Sequence, residues 1–512
     1  MRRRKTDERL KTTKKTATKA ATEATTTSRT NRLRVLMIAS EFAPYAKSGG
    51  LADAVAGLSA ALVALGHDVT AVMPGYHGLA EDSSPAGNVE ITLGAMRTTF
   101  SVALRERVSP EGVRLILVDE PVFAARTSFY GDHAGEYGDN AFRFALLSRA
   151  ALAFAAQEPK RFDILHAHDW HAALAPVYLR TRYAGDARAP RASVFTIHNL
   201  AFQGLFDVGE LPALDLDADL FNINALEFWG RASALKGGVV FADRVTTVSP
   251  SYARETCETE MGFGFQGILR ARGEQYTGIL NGIDTNVWDP SRDACLPAAY
   301  SAKDLSGKAA SKAAMLAEFG VLPADGKPVV GMVSRLAHQK GVDLMWDVAP
   351  RLAAHGVALV MLGAGEDHLE RGWRELAAAY PDRIGVRIGF DERLAHLIEA
   401  GADAFVMPSR YEPCGLNQLY SLRYGTPPVV RATGGLNDTV EPFDAATKRG
   451  NGFKFDAPTA DALQASLADM LRVWETPAAW RAMQKNGMKA DHSWDRSAQE
   501  YVKVFRAALK SA

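Results

Sequence analysis

The chain has 512 residues, 47% of them hydrophobic, with 59 basic and 59 acidic side chains. That is too much chain for one core, so two domains are expected, and no run of about 18 apolar residues exists to cross a membrane. Three cysteines, Cys257, Cys295 and Cys414, are odd in number and widely spaced, which argues against a disulfide framework or a zinc site and for a reducing, cytoplasmic setting.

The zero net charge hides an asymmetry. Residues 1–31 hold ten Lys/Arg and three Asp/Glu, a net +7, and the remainder carries −7. This tail is rich in Lys, Thr and Ala, and Leu10 is its one large apolar residue beyond Met1. It is expected to be a disordered, solvated extension. It lacks the apolar segment of a secretory signal, and Asp7 and Glu8 count against a transit peptide. A nucleic-acid tether is the competing reading of such a charge run, but no nucleic-acid partner is expected.

The first ordered element predicted is a buried strand over 33–40. Lys47-Ser48-Gly49-Gly50-Leu51-Ala52-Asp53 follows, then an Ala- and Leu-rich helical pattern over 54–65 with Gly66 as its stop. Glycines let backbone N–H groups approach an anion that a Cβ would hold off. A helix N-terminus adds about half a positive charge and Lys47 a whole one. The competing reading is a tight turn with a solvated lysine.

Strands are predicted at 68–75 and 113–119, with a hairpin pair over 88–108 between them. A helix over 141–156 follows Asp139 and Asn140, either of which is its N-cap or a site residue. Further strands at 162–169, 192–199 and 244–250 end in polar residues. The first of these carries His166, His168 and Asp169, with His171 at the start of a helix over 170–183. Helix capping and core hydrogen bonds are weighed there against metal ligation. The next strand ends in His198 and Asn199. Strands alternating with helices imply a parallel sheet covered on both faces, in which ligands sit beyond the carboxyl ends of the strands.

The passage 278–290 is turn-rich and is taken as the domain boundary. A second sheet pattern then runs through 327–334, 357–363, 384–389, 404–408 and 428–430. Its first strand ends in Arg335, with Lys340 one loop away. Two fixed cations there suit a diphosphate leaving group, the alternative being ordinary surface charge. Glu412 lies at another strand exit, flanked by Tyr411, Pro413, Cys414 and Gly415, where a carboxylate can accept hydrogen bonds from sugar hydroxyls. Gly434 and Gly435 form a second glycine loop before a helix, whose amides could meet the same diphosphate from the other side.

These motifs, in order and spacing, resemble the bacterial glycogen synthases and plant starch synthases over roughly 33–510. The resemblance implies a GT-B fold, two doubly wound Rossmann-like α/β domains with the active site between them. The first would span 32–280 and be completed by a C-terminal helix over 495–512, and the second would span 281–494. It implies retaining transfer of glucose from ADP-glucose to the non-reducing end of an α-1,4-glucan, without a metal or cofactor.

Carried over by motif, Lys47 and the Gly49 and Gly50 amides would bind the donor diphosphate and sugar region, with Asp53 organising that loop. Arg335 and Lys340 would neutralise departing ADP. Glu412 would bind glucose hydroxyls, and Cys414, Gly415 and Leu416 would line the pocket. His198 would lie beside the anomeric carbon with Asn199 following it, Asp139 and Asn140 near the acceptor or sugar, and the Gly434-Gly435 loop would close on the donor. Tyr420 stands eight residues after Glu412, where many retaining relatives have a second Glu. That departure favours the glycogen-synthase branch. A phosphorylase-like enzyme with pyridoxal phosphate and a silent glucan-binding protein are the rival readings.

Overall fold

The computed structural model describes residues 32–94, 96, 98–132 and 135–512. The basic tail therefore lies outside the described residues. The first domain runs β1 (Arg34–Ile38), α1 (Gly50–Ala64), β2 (Asp68–Pro74), β3 (Ser84–Leu93), β4 (Thr98–Val108) and β5 (Arg114–Asp119). It continues through α2 (Asn140–Gln157), β6 (Ile164–His168), β7 (Ala192–Ile197), β8 (Arg244–Thr247), α3 (Pro250–Glu255) and β9 (Tyr276–Gly278). The strands form one sheet in the order β9-β8-β7-β6-β1-β2-β5-β4-β3.

Seven of them are parallel, and the hairpin β3–β4 adds an antiparallel edge. Strands β1, β6 and β7 are buried along nearly their whole length, as a sheet covered on both faces requires. The helix expected over 170–183 is broken. A first turn, Asp169–Ala172, is followed by a separate helix Leu174–Thr181, and Asp169 itself has φ +54°.

The second domain is built on β10 (Val329–Val333), β11 (Ala358–Gly363), β12 (Ile384–Ile388), α4 (Glu392–Gly401) and β13 (Ala404–Met407). Then come α5 (Asn417–Arg423), β14 (Pro428–Arg431), α6 (Gly434–Thr439) and β15 (Phe453–Phe455). Its six strands are all parallel, in the order β12-β11-β10-β13-β14-β15. In both sheets the first strand of the domain lies inside the sheet with crossovers on either side. The carboxyl ends of β1 and β10 therefore open at a crevice.

The chain passes between the domains twice, side by side. The Ile283 amide donates to the His492 carbonyl at 2.8 Å, and a Cβ on Gly282 would stand 2.6 Å from Trp494 Cα. The final helix, α7 (Trp494–Ser511), then returns to the first domain. Trp494, Ala498, Tyr501, Val502, Phe505 and Ala508 join the first domain's core. Gly57 is the socket, since a Cβ there would overlap the Trp494 indole. Helix α7 and the two crossings thus fix which faces of the domains oppose each other.

Candidate functional site

A cavity of about 780 Å³ lies between the two sets of strand ends, within the range of about 300–1,000 Å³ usual for small-molecule sites. Lys47, Gly49, Gly50, Asp53, His198 and Asn199 line it from the first domain. From the second come Arg335, Lys340, Glu412, Cys414, Gly415 and Leu416. The two walls come close together: a Cβ on Gly50 would sit 3.5 Å from Leu416 Cδ1.

The first wall starts at the exit of β1. Gly49 is the N-cap of α1 in an extended conformation, and Gly50 is the first helical residue. Among the described residues, none beyond its chain neighbours lies within 4 Å of where a Gly49 Cβ would be, so the loop backbone faces open space at a helix N-terminus. Lys47 Nζ pairs with Asp53 Oδ1 at 2.9 Å, both side chains partly exposed. Burial raises the Asp53 carboxyl, and the lysine beside it opposes that shift.

Glu41, which the sequence reading did not single out, holds this loop. Its Oε2 and Oε1 accept from the Ser48 amide and hydroxyl, each at 2.6 Å, and the Tyr130 hydroxyl donates to the same carboxylate. Glu41 stands just beyond the end of β1. The rule that ligands gather at strand ends could have marked it.

Behind it, the exit of β6 meets that of β7. Asp169 Oδ1 accepts from the amides of His198 at 2.7 Å and Asn199 at 3.3 Å. Burial raises its carboxyl to about 7, against the pull of those two amides. The His198 and His168 rings meet through Nε2 and Nδ1 at 3.0 Å. Desolvation lowers His198 to about 3, so it faces the cavity as a neutral imidazole, able to donate or accept one hydrogen bond. Trp170 and His171 also line the cavity, with their rings 4.1 Å apart. From the sequence, Asp169 belongs to a polar strand-end group suited to capping or to metal ligation. Its positive φ and its amide contacts emerge only in the fold.

The second wall carries the charge. Arg335 follows β10 by two residues and is exposed to the cavity. Lys340 Nζ lies 2.6 Å from Glu412 Oε2, which also accepts from Ser409 Oγ at 3.0 Å. Gly415 has φ +75°, and a Cβ there would strike the Gln418 side chain, whose amide nitrogen donates to the Cys414 and Gly415 carbonyls at 3.0 Å each. Burial pushes the Cys414 thiol up to about 12, which makes it a lining group and not a nucleophile.

Four of the expected residues do not line this cavity. Asp139 does not line the cavity; Arg126 grips both its oxygens, at 2.6 and 2.7 Å. Asn140 is buried away from it, donating to the Tyr130 carbonyl and accepting from Arg143, each at 2.8 Å. It borders a neighbouring pocket that shares Glu136, Trp170 and Phe202 with the main cavity. Gly434 and Gly435 also lie off the cavity, because their amides are taken. Gly434 donates to Glu255 of α3 at 2.8 Å, and Gly435 to the Glu412 and Pro413 carbonyls at 3.2 Å. Side chains there would overlap the Glu412 and Cys414 carbonyl oxygens. This loop therefore packs behind the Glu412–Cys414 segment and docks it to the first domain. Ser249 and Ser251 add bonds to the Pro413 carbonyl and the Asp438 carboxylate.

The chain matches the family model described as starch synthase catalytic domain over residues 34–271 and that described as glycosyl transferases group 1 over 317–487. It is 45% identical over 481 residues to the glycogen synthase of Koribacter versatilis, covering 93% of this chain and 98% of that one. Against the glycogen synthase of Anaeromyxobacter dehalogenans it is 47% identical over 476 residues, covering 93% and 99%. Among solved structures, the catalytic domain of starch synthase IV from Arabidopsis thaliana, bound to ADP and acarbose, superposes with a TM-score of 0.86. Identity there is 33%, over 94% of this chain and all of that one. Sucrose-phosphate synthase from Thermosynechococcus elongatus, at 19% identity and a TM-score of 0.60, shares the fold. On this similarity along nearly its whole length, the chain belongs to the glycogen synthase and starch synthase family of GT-B glycosyltransferases.

Proposed function

We propose that the interdomain cavity transfers glucose from ADP-glucose to the non-reducing end of an α-1,4-glucan, with retention of configuration and release of ADP. One observation carries this reading. A helix N-terminus with Lys47 and a strand-end pair of cations, Arg335 and Lys340, line one cavity from opposite domains. Such an arrangement suits a sugar diphosphate, whose leaving-group charge grows as the glycosyl bond breaks.

Lys47 and the Gly49 and Gly50 amides bind the donor at the diphosphate and sugar. Arg335 and Lys340 stabilise the departing ADP. Glu412, already held between Lys340 and Ser409, accepts from glucose hydroxyls. Neutral His198 lies beside the anomeric carbon. The acceptor 4-hydroxyl arrives on the face that ADP leaves and gives its proton to a donor phosphate oxygen, so no side chain acts as nucleophile. No metal or prosthetic group takes part, because the diphosphate charge is met by the two cations. A cytoplasmic setting is in keeping with Cys257, Cys295 and Cys414 all being free thiols; no helix among the described residues is long and apolar enough to cross a membrane.

Glycogen offered equimolar labelled ADP-glucose and UDP-glucose tests the assignment. Preferential incorporation from ADP-glucose is expected, and equal or no incorporation overturns it. Arg335→Ala and Lys340→Ala should each lower kcat on the order of 10²-fold, as loss of one donor to a developing anion does. Unchanged turnover in both would remove their role.

A further inference from the structure

Asp293, Cys295 and His396 come together on the flank of the second domain, away from the transfer chemistry. One donor atom from each, a carboxylate oxygen, Sγ and a ring nitrogen, lies within 4.8 Å of the others. Asp293 and Cys295 belong to the loop after the first domain crossing, and His396 sits in the middle of α4. The loop is tied into shape by the Cys295 amide, which donates to Asp293 Oδ1 at 2.8 Å. Asp293 Oδ2 meets His396 Nδ1 at 2.8 Å and accepts from the Tyr424 hydroxyl. The Asp293 and His396 side chains are only 3% and 4% exposed, whereas Cys295 is half-buried and gives a route in.

We infer that Asp293, Cys295 and His396 form a non-catalytic site for a borderline-soft divalent cation of the zinc type, with a fourth position open to water. The donor set supports this chemistry. Thiolate, imidazole and carboxylate are the three ligand types zinc takes, at about 2.3, 2.0 and 2.1 Å, and hard cations such as magnesium or calcium prefer all-oxygen shells. A carboxylate and a thiolate together cancel the ion's two charges. On binding, the Cys295 thiol gives up its proton to solvent, and the His396 ring carries its proton on Nε2 so that Nδ1 can ligate. Tyr424 remains as the hydrogen-bond partner that orients the carboxylate, as outer partners of metal ligands do.

The ion would also brace the cavity wall. The His396 ring stacks on Trp288 at 3.8 Å and 14°, and Trp288 stacks on Tyr420 at 3.6 Å and 10°. Trp288 and Tyr420 line the main cavity. Ligation at Nδ1 pins the outer ring of this three-ring ladder. The wide cysteine spacing concealed the site, because its other two ligands are not cysteines and His396 is remote in sequence.

Full-length protein stripped with a chelator and titrated with cobalt(II) tests the inference without reference to transferase activity. A thiolate-to-cobalt charge-transfer band saturating at one equivalent per chain, and displaced by zinc, is expected. Cys295→Ser should abolish the band, Cys257→Ser should leave it, and His396→Gln should weaken cobalt binding at least about tenfold. Absence of the band in the unsubstituted protein, or its persistence in Cys295→Ser, would overturn the site.

Discussion

The two glycine loops, 47–53 and 433–439, have the same local form: a strand end, paired glycines and the start of a helix. Their surroundings are opposite. Among the described residues, none beyond its chain neighbours comes within 4 Å of a would-be Gly49 Cβ, and Gly49 faces the cavity. Gly434, at φ +43°, gives its amide to Glu255 of the other domain, and both Gly434 and Gly435 press on the backbone of the Glu412–Cys414 segment. The first loop turns its glycines to the cavity, and the second gives the Gly434 amide to the other domain and the Gly435 amide to the Glu412 and Pro413 carbonyls. A glycine loop is a binding element only where its amides lack a protein partner, and that partner is set by the tertiary fold.

The contrast can be broken from several sides. The largest effect is expected from acid, which attacks the wall behind the first loop. His166, His168, His171 and His198 all have imidazole pKa values lowered by burial, to about 3 for His166 and His198. The unfolded chain therefore binds more protons than the folded one between those values and about 6.5, and stability rises with pH through that window. Each imidazole contributes up to about 1.4 kcal/mol per pH unit. Asp169 offsets one of them, since its raised carboxyl keeps a proton in the folded state up to about 7. Denaturant unfolding measured across the window should show this slope, and histidine NMR should show the four rings neutral where an ordinary imidazole is protonated.

Next comes Gly434→Ala, which forces a side chain into positive φ and into the Glu412 carbonyl. It should cost roughly 2–4 kcal/mol of stability, read as a lowered unfolding midpoint. The matching change in the first loop, Gly49→Ala, should leave stability within about 0.5 kcal/mol. It should instead raise the donor KM several-fold by crowding the ligand's approach to the backbone. If Gly49→Ala destabilised the chain and Gly434→Ala did not, the two loops would have exchanged roles.

Much of this architecture was legible in the sequence because buried parallel strands are short apolar runs with polar residues at their exits. That pattern placed β1, β6, β7, β10 and β13, and with them Lys47, His198, Arg335 and Glu412. What escaped depends on side-chain partners that a pattern of strands and helices does not reveal. Asp139 looked available, but Arg126 takes both its oxygens. Gly434 looked like a phosphate cradle, but Glu255 stands 179 residues away in sequence and against it in space. Glu41 was passed over because it lies in a short loop with no helix pattern of its own; only its bonds to Ser48 and Tyr130 show that it shapes the site.

The central claim is that two domains grip one sugar diphosphate, and the first domain's part in it is probed most directly by kcat/KM for ADP-glucose in Lys47→Ala. Lys47 forms only a partly exposed pair with Asp53, a kind of contact worth about 0–1 kcal/mol, so the variant should fold normally. A loss of at least about tenfold, the equivalent of some 1.4 kcal/mol of transition-state binding, is predicted. An unchanged kcat/KM would contradict the account, because the donor would then be held by the second domain alone.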